Sequence, residues 1–264
     1  MKVNARRLEG KVAIVTAATQ GIGYAIAERL GLEGAAVVIC SRKQNNVDDA
    51  IFSLRKSGCE KVEGCVCHVG STEDREKLID LTLTKYGRID ILINNHGINP
   101  VVGDILDVDD KMWDRLFETN VKNGWQLCKL VVPHMKKVGG GNIVFNSSIG
   151  GFKPPTAGIA AYAVTKTAMI GLTKALAGSL AKENIRVNGI APGLIKTKMS
   201  KALWDTGDTD KEGEENAVAV GEIIMGRLGV PEDCGGAVAF LVSDDASYIT
   251  GETIVIAGGV HARL

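Results

Sequence analysis

The stretch that decides the fold is KVAIVTAATQGIGYAIAERLGL, which spans residues 11–32. It begins with a short apolar, β-branched run at 11–16, which is typical of a buried parallel strand. A turn with Gly21 and Gly23 follows, and apolar residues then recur at helical spacing. Glycine is needed where the backbone comes close to a phosphate, since a Cβ would block the approach. The order of strand, glycine turn and helix therefore predicts a phosphate-binding βα unit.

The same alternation of apolar strands and amphipathic helices continues along the chain, without a linker or an internal repeat. The predicted strands cover residues 11–16, 36–40, 62–67, 89–94, 142–147, 186–191 and 252–257. The predicted helices cover residues 21–32, 46–57, 72–86, 109–136, 161–182 and 231–243. Strands and helices alternating in this way pair in parallel through right-handed crossovers. We therefore expect an α/β protein with its ligand crevice at the C-terminal strand ends.

Composition limits the possible partners and the compartment. The chain has 264 residues, within the range of one α/β domain. Its 31 basic and 31 acidic residues leave no net charge to attract nucleic acid or an anionic membrane. No apolar stretch approaches the ~20 residues of a membrane span, and the first residues lack the apolar segment of a secretion signal. The six cysteines include no Cys-x-x-Cys pair, so we expect a reducing intracellular compartment.

The segment Cys65-Val66-Cys67-His68 is the one candidate metal site in the sequence. Alternate residues of a strand can converge on one ion. A tetrahedral zinc site needs four ligands, however, and the sequence offers no second ligand cluster. We therefore interpret these cysteines as buried strand residues and expect no metal.

Tyr162 and Lys166 lie four residues apart, which places them on one face of a helix. A free tyrosine has a pKa near about 10, too high for acid–base chemistry near neutrality. A positive charge a few ångströms away favours the phenolate and lowers that pKa. Ser148, fourteen residues before Tyr162, can donate a hydrogen bond to a substrate oxygen. The three residue types therefore suggest a site for proton transfer.

Six motifs in order resemble those of the short-chain dehydrogenase/reductase family, over nearly all of the chain. They are Thr16-Ala17-Ala18-Thr19-Gln20-Gly21-Ile22-Gly23, Asn94-Asn95-His96-Gly97, Asn120, Ser148, Tyr162 with Lys166, and Pro192-Gly193-Leu194-Ile195-Lys196-Thr197. Within the family, Ser41-Arg42-Lys43-Gln44 and Tyr248-Ile249-Thr250-Gly251-Glu252 resemble the peroxisomal NADPH-dependent carbonyl and retinal reductase branch.

The resemblance implies a single-domain Rossmann fold over residues 1–264. Its seven-stranded parallel sheet is doubly wound, in the order 3-2-1-4-5-6-7, with helices on both faces. It also implies a homotetramer. The implied catalytic set is Ser148, Tyr162, Lys166 and Asn120, where Asn120 kinks its helix and positions a water that links Lys166 to solvent. The implied NADP(H) contacts are Thr16, Ala17, Thr19, Gly21, Ile22, Gly23, Ser41, Arg42, Lys43, His68, Val69, Asn95, His96, Gly97, Tyr162, Lys166, Pro192, Gly193, Ile195 and Thr197.

Three departures from the family pattern affect these assignments. Ala17 replaces the first glycine of the turn, so its conformation must be one that alanine tolerates. His96 replaces an alanine and puts a titratable ring close to the cofactor; we rank it below Tyr162 as a proton donor. The loop before Tyr162 is one residue longer than usual, which leaves the choice between Ser147 and Ser148 open.

The residues after the second strand indicate the cofactor. An NAD-specific site of this fold places a carboxylate about twenty residues after the glycine turn. Ser41, Arg42 and Lys43 occupy that place, and a guanidinium there can bind a 2′-phosphate. We therefore expect NADPH-dependent reduction of ketones, α-dicarbonyls and retinal. The alternatives are a 3-oxoacyl carrier-protein reductase and a non-catalytic NADP(H)-binding scaffold. A carrier protein would dock on the basic residues Lys196, Lys198, Lys201 and Arg227.

Two segments towards the C-terminus carry further expectations. Residues 198–227 place bulky apolar groups on either side of a charged run, which suits either a mobile lid over an apolar substrate or a plain pair of surface helices. The chain ends in Ala262-Arg263-Leu264, which resembles a peroxisomal targeting signal that an import receptor reads. We expect a peroxisomal protein, with the cytosol as the alternative.

Overall fold

A single parallel sheet of seven strands organises the computed structural model, which describes residues 6–154, 158–204 and 223–260. The strand order is β3-β2-β1-β4-β5-β6-β7, and every neighbouring pair is parallel. The predicted α/β class and strand order are therefore confirmed. The strands β1 to β7 span Val12–Thr16, Ala36–Ser41, Val62–Val66, Ile91–Asn94, Gly141–Asn146, Ile185–Pro192 and Thr253–Ile256.

Helices cover both faces of this sheet. The helices α1 to α8 span Gly21–Leu32, Gln44–Lys56, Thr72–Tyr86, Asp110–Phe117, Asn123–Lys137, Ala160–Leu180, Lys201–Trp204 and Pro231–Val242. Buried residues of α1, α2 and α8 form one hydrophobic cluster with alternate strand residues. Those of α3, α5 and α6 form a second cluster with the intervening residues of the same strands. The sheet is therefore doubly wound, as predicted.

Strand β1 shows how the sequence produces this arrangement. All five of its residues are buried. Ala13 and Val15 belong to the first cluster, whereas Ile14 belongs to the second. Because side chains alternate between the faces of a strand, a strand covered on both sides must be apolar at every position. The residues from Val12 to Val15 are all apolar and meet that requirement.

The helix predicted over 109–136 is interrupted. Helix α4 ends at Phe117, a π-helical turn covers Glu118–Lys122, and α5 begins at Asn123. Asn120 lies inside the turn and is 2% exposed. Its side chain accepts a hydrogen bond from Ile98 N at 2.8 Å and donates to Ile98 O and to Thr165 Oγ1, both at 3.0 Å. These bonds hold the side chain in the core and stabilise the extra residue in the turn.

Two sequence expectations fall partly outside the described residues. Most of the lid predicted at 198–227 lies in 205–222, so the lid stays a prediction, as does the single domain over 1–264. The described part of that region includes α7 and the exposed side chains of Met199, Leu203, Ile224 and Met225. Within the described residues, no helix is both long and apolar enough to cross a membrane.

Ala17 has a left-handed backbone, with φ of 50°. Alanine occupies this region at a cost of roughly 1–2 kcal/mol, because its Cβ approaches the following carbonyl oxygen. The first residue of α1, Gly21, has a similar φ of 60°, and glycine bears no such cost. The glycine turn therefore has one relaxed and one strained left-handed position.

We expect Ala17→Gly to stabilise the protein. The substitution removes the left-handed strain, while the greater freedom of glycine in the unfolded chain offsets about 0.4–1 kcal/mol of the gain. A net increase in the free energy of unfolding of roughly 0.5–1 kcal/mol should appear in urea titrations. The matched control, Gly21→Ala, should lower it. A lower unfolding free energy for Ala17→Gly would contradict the assignment of strain.

Candidate active site

The glycine turn leaves the N-terminus of α1 open to a ligand. Gln20 precedes the helix without making a side-chain capping bond, and the first turn contains no acidic residue. Backbone N–H groups at such an N-terminus favour an anion. A Cβ on Gly23 would collide with Asn95 Nδ2 and with the Ala17 carbonyl. The turn therefore fits the phosphate group predicted for it, and it requires glycine at position 23.

The ends of β2 and β3 form the next part of the groove. Arg42 and Lys43 are exposed and follow directly after Ser41. Within the described residues neither forms an ion pair. Ser41 O accepts a hydrogen bond from Cys67 N at 2.9 Å, which brings the segment after β3 alongside. Both cations are therefore placed where a ligand at this edge could pair with them.

His68 and Val69, two of the expected cofactor contacts, lie in that neighbouring segment. His68 is exposed, and its Nδ1 accepts a hydrogen bond from Gly70 N at 3.1 Å. Val69 O accepts from the guanidinium of Arg75, a buried residue of α3. The segment is thus held by local bonds, while the His68 ring faces solvent at the groove edge.

His96 is buried against the base of the glycine turn. Its Nδ1 lies 2.9 Å from Thr16 Oγ1, and its backbone N–H donates to the same oxygen at 3.2 Å. Burial, aided by the positive charges of Lys166 and Arg75, lowers the pKa of His96 to about 3. His96 is therefore neutral at physiological pH, which fits its lower rank as a proton donor.

Tyr162, Ser148 and Lys166 come together beside the start of α6. Lys166 Nζ lies 5.3 Å from the centroid of the Tyr162 ring. The sequence predicted that this ammonium lowers the pKa of Tyr162, and that prediction is wrong. Burial raises the pKa of Tyr162 to about 12, while a hydrogen bond with Ser148 acts in the opposite direction. The desolvation of the phenolate outweighs its stabilisation by Ser148.

Lys166 is 3% exposed. Its Nζ donates to the Asn146 carbonyl at 2.7 Å and lies 3.4 Å from Met169 Sδ. Burial lowers the pKa of Lys166 to about 7, because an ammonium loses its hydration in the protein interior. Lys166 therefore loses its proton near neutrality, and charging it in the folded state costs stability.

The two serines after β5 face different neighbours. Ser147 is buried and donates to the Lys166 backbone carbonyl at 2.9 Å. Ser148 Oγ accepts from Gly150 N at 3.1 Å and is the serine that bonds to Tyr162. The geometry thus favours Ser148 as the residue that faces a substrate, and Ser147 as an anchor for α6.

The segment Pro192–Thr197 follows β6 and closes the groove on the other side. Gly193 packs so closely on Ala257 that a Cβ would lie 2.8 Å from the Cβ of that alanine. Ile195 forms a parallel bridge to Gly229. Thr197 N donates to Ser200 Oγ at 3.1 Å. These contacts fix a loop whose Thr197 approaches Gly21 of the glycine turn.

The cysteines contribute packing to this edge of the sheet. Cys40 and Cys67 are buried in the second hydrophobic cluster, and Cys65 packs against it. All six cysteines are free thiols. Within residues 6–154, 158–204 and 223–260, no group of three or more potential ligand side chains is suited to a metal ion.

One residue of the site was missed in the sequence. Asn146 ends β5, accepts the Lys166 hydrogen bond on its backbone oxygen, and donates from Nδ2 to Asn95 Oδ1 at 2.9 Å. A polar residue after the apolar stretch of the strand predicted at 142–147 was the available signal. Asn146 directly precedes Ser147 and Ser148, to which the sequence analysis assigned the chemistry.

Known proteins match the chain over its whole length. The sequence profile of a family described as enoyl-(acyl carrier protein) reductase matches residues 16–261. Dehydrogenase/reductase SDR family member 4 of Caenorhabditis elegans is 62% identical over 264 residues, covering 100% of both chains. The Homo sapiens protein of that name is 52% identical over 257 residues, covering 97% of this chain and 90% of the human one.

A solved structure resembles the fold equally well. The 7α-hydroxysteroid dehydrogenase complexed with NADH and 7-oxo glycochenodeoxycholic acid superposes with a TM-score of 0.90 at 31% identity. The match covers 100% of this chain and 99% of that one. These similarities agree with the family motifs of the sequence.

We expect Lys166→Met to change stability in a pH-dependent way. The lysine pKa is 10.5 when unperturbed and about 7 in the folded protein. Between these values the unfolded state binds a proton that the folded state does not, so wild-type stability rises with pH across this window. The variant lacks this dependence. It should exceed the wild type by roughly 2–4 kcal/mol near pH 6, with the difference shrinking towards pH 10.

Urea titrations at pH 6, 8 and 10 measure this difference. Lys174→Met, at an exposed position of the same helix, is the matched control for replacing lysine by methionine. A stability difference for Lys166→Met that stays constant from pH 6 to pH 10 would show that Lys166 is not desolvated as described.

Proposed function

Because the chain belongs to the short-chain dehydrogenase/reductase family of oxidoreductases, which use nicotinamide cofactors, we propose that it is an NADPH-dependent carbonyl reductase. The observation that carries this proposal is the convergence of Ser148, Tyr162 and Lys166 beside the glycine turn. A structural neighbour in complex with NADH and an oxo compound supports the same reaction type. The proposed substrates are ketones, α-dicarbonyls and retinal, which are reduced to alcohols.

Tyr162 and Ser148 have separate roles at the carbonyl oxygen of the substrate. When bound, NADPH supplies the hydride that reduces the carbonyl carbon. Tyr162 Oη donates a proton to the oxygen as a general acid. Ser148 Oγ accepts a bond from Gly150 N and bonds to Tyr162, and its hydroxyl can turn to donate its hydrogen to the same substrate oxygen. Together they stabilise the negative charge that develops there.

Lys166 acts on Tyr162 rather than on the substrate. Its ammonium, 5.3 Å from the tyrosine ring, stabilises the phenolate that remains after proton transfer. In the proposal it also holds the ribose hydroxyls of the cofactor. Asn120 lies close to it, since both approach Gly97. A water positioned by Asn120 would return a proton from solvent to Lys166 and Tyr162.

Two alternatives receive less support. A reductase of acyl carrier proteins needs free basic groups beside the pocket. Arg227 is instead bound in a bidentate pair to Asp233, at 2.8 and 3.0 Å, and Lys196 lies 5.9 Å from the centre of the Trp204 ring. A non-catalytic scaffold would not require the three catalytic residues to meet. Turnover of 3-oxoacyl carrier protein compared with small diketones and retinal separates these functions.

We expect Tyr162→Phe to bind NADPH with wild-type affinity and to lose most of its turnover. The ring remains, and only the proton donor is removed, so kcat should fall by about 10²–10⁴-fold. Steady-state assays with a diketone measure kcat, and fluorescence titration measures NADPH binding. Ser148→Ala should also lower kcat, whereas Ser147→Ala should spare it. Near wild-type activity of both Tyr162→Phe and Ser148→Ala would disprove the mechanism.

The preference for NADPH over NADH is proposed from the end of β2. Arg42 and Lys43 are exposed at the N-terminus of α2, which has no side-chain cap. A 2′-phosphate placed there would meet a guanidinium, an ammonium and a helix N-terminus. A carboxylate that could bind a ribose 2′-hydroxyl is missing from this segment of the sequence.

We expect Arg42→Ala to raise the KM for NADPH and to leave the KM for NADH nearly unchanged, because only NADPH carries the 2′-phosphate. Ser41→Asp should reverse the preference towards NADH by adding a carboxylate. The measurement is kcat/KM for both cofactors at fixed substrate. Lys56→Ala, at the far end of α2, is the control. Equal efficiency of the unmodified enzyme with both cofactors would refute the assignment.

Assembly and location stay sequence-based predictions. The homotetramer follows from the family resemblance. The targeting tripeptide Ala262-Arg263-Leu264, which an import receptor would have to reach, lies outside the described residues. The peroxisome is the proposed location, with the cytosol as the alternative.

A further inference from the structure

The backbone ladders on either side of β4 stop short of the groove. Pairing between β1 and β4 extends to Val15 and Ile93, and pairing between β4 and β5 extends to Asn94 and Phe145. At this position the sheet order changes direction, and the groove opens between the diverging connections. Backbone pairing therefore does not connect the residues that follow the ends of these two ladders in β1, β4 and β5.

Side-chain amides continue the connection. Asn95 Nδ2 donates to Thr16 O at 3.0 Å and to Ala17 O at 3.1 Å. Asn95 Oδ1 accepts from Asn146 Nδ2 at 2.9 Å. A continuous set of hydrogen bonds thus runs from the glycine turn after β1, across the end of β4, to the last residue of β5.

Asn146 connects this set to the catalytic lysine. Its backbone oxygen accepts the hydrogen bond from Lys166 Nζ at 2.7 Å. On its other side, Asn146 is paired with Ile190 of β6. Asn146 therefore connects the ammonium of Lys166 to β6 by backbone pairing and, through Asn95, to the glycine turn.

Stability does not explain an asparagine at this position. Asn146 is 9% exposed, and its Oδ1 has no hydrogen-bond partner within the described residues. An unsatisfied buried acceptor destabilises the folded state. Asparagine is also a poor strand former compared with β-branched residues. Among the described residues, the hydrogen bond that its side chain makes is the one to Asn95.

We propose that Asn146 is a positioning residue that sets the place of Lys166 relative to the glycine turn, acting through Asn95. This inference rests on the proposed function, since it assigns to that site the task of aligning the lysine with the bound cofactor. Asn146 does not touch the reacting atoms. Without its side-chain bond, the end of β5 and the lysine it holds can shift relative to the turn that binds the cofactor.

The test replaces Asn146 by valine, which suits a strand and lacks the unsatisfied acceptor. We expect Asn146→Val to keep or raise the melting temperature. At the same time the KM for NADPH should rise about five- to tenfold, and kcat should fall several-fold. A purely structural role would produce the opposite pattern, with lower stability and unchanged kinetic constants. Asn146→Ala is the second variant; loss of folding in both variants would overturn the inference.

Asn142→Val is the matched control. Asn142 lies on the same strand, its Oδ1 also lacks a partner in the described residues, and its Nδ2 donates to Val242 O at 3.1 Å, away from the groove. Its substitution should leave both kinetic constants at their wild-type values. Equal kinetics of Asn146→Val and Asn142→Val would overturn the inference.

A double-mutant cycle tests the route through Asn95. Asn95→Ala, Asn146→Val and the double variant are compared by NADPH titration. If Asn146 acts through Asn95, the double variant should bind NADPH about as weakly as Asn95→Ala alone; independent, additive losses would refute this route. Failure of the wild type to bind NADPH would overturn the proposed function as well, whereas normal wild-type activity with an unaffected Asn146→Val would overturn only this inference.

Discussion

Parallel pairing of strands that are buried on both faces is the constraint on which the other features depend. Helices cover both sides of the sheet, so the strand interiors are apolar and leave little room for functional groups. The carboxyl ends of all seven strands lie at one edge, where loops begin and polar side chains become possible. The glycine turn, Ser148 and the loop after Pro192 each follow a strand end. Their proximity is a consequence of strand direction.

The same constraint explains how much the sequence could predict. The segment 11–16 was predicted as a buried strand because Val12 to Val15 are all apolar, and β1 spans Val12–Thr16. The edge that holds the candidate site followed from parallel pairing. Family motifs added the sheet order and the choice of Tyr162 and Lys166 for the site, whose roles remain to be tested.

Features that depend on tertiary contacts could not be predicted. The π-helical turn arises from bonds of Asn120 to Ile98 and to Thr165, 45 residues away. The raised pKa of Tyr162 reflects burial, whereas the sequence showed only a neighbouring lysine. The choice between Ser147 and Ser148 depended on which hydroxyl faces the backbone of α6. In each case the deciding atom belongs to another element of the fold.

The contacts of Thr16 determine which nitrogen of His96 carries the proton. Thr16 Oγ1 accepts hydrogen bonds from the backbone N–H groups of Asn95 and His96, so both of its lone pairs are engaged. Its single hydrogen is left to donate, to Ile93 O or to His96 Nδ1. An Nδ1–H would find no free lone pair on Thr16 Oγ1, which favours the neutral tautomer with its hydrogen on Nε2. The contacts of one threonine hydroxyl thus set the direction of the imidazole dipole at the base of the glycine turn.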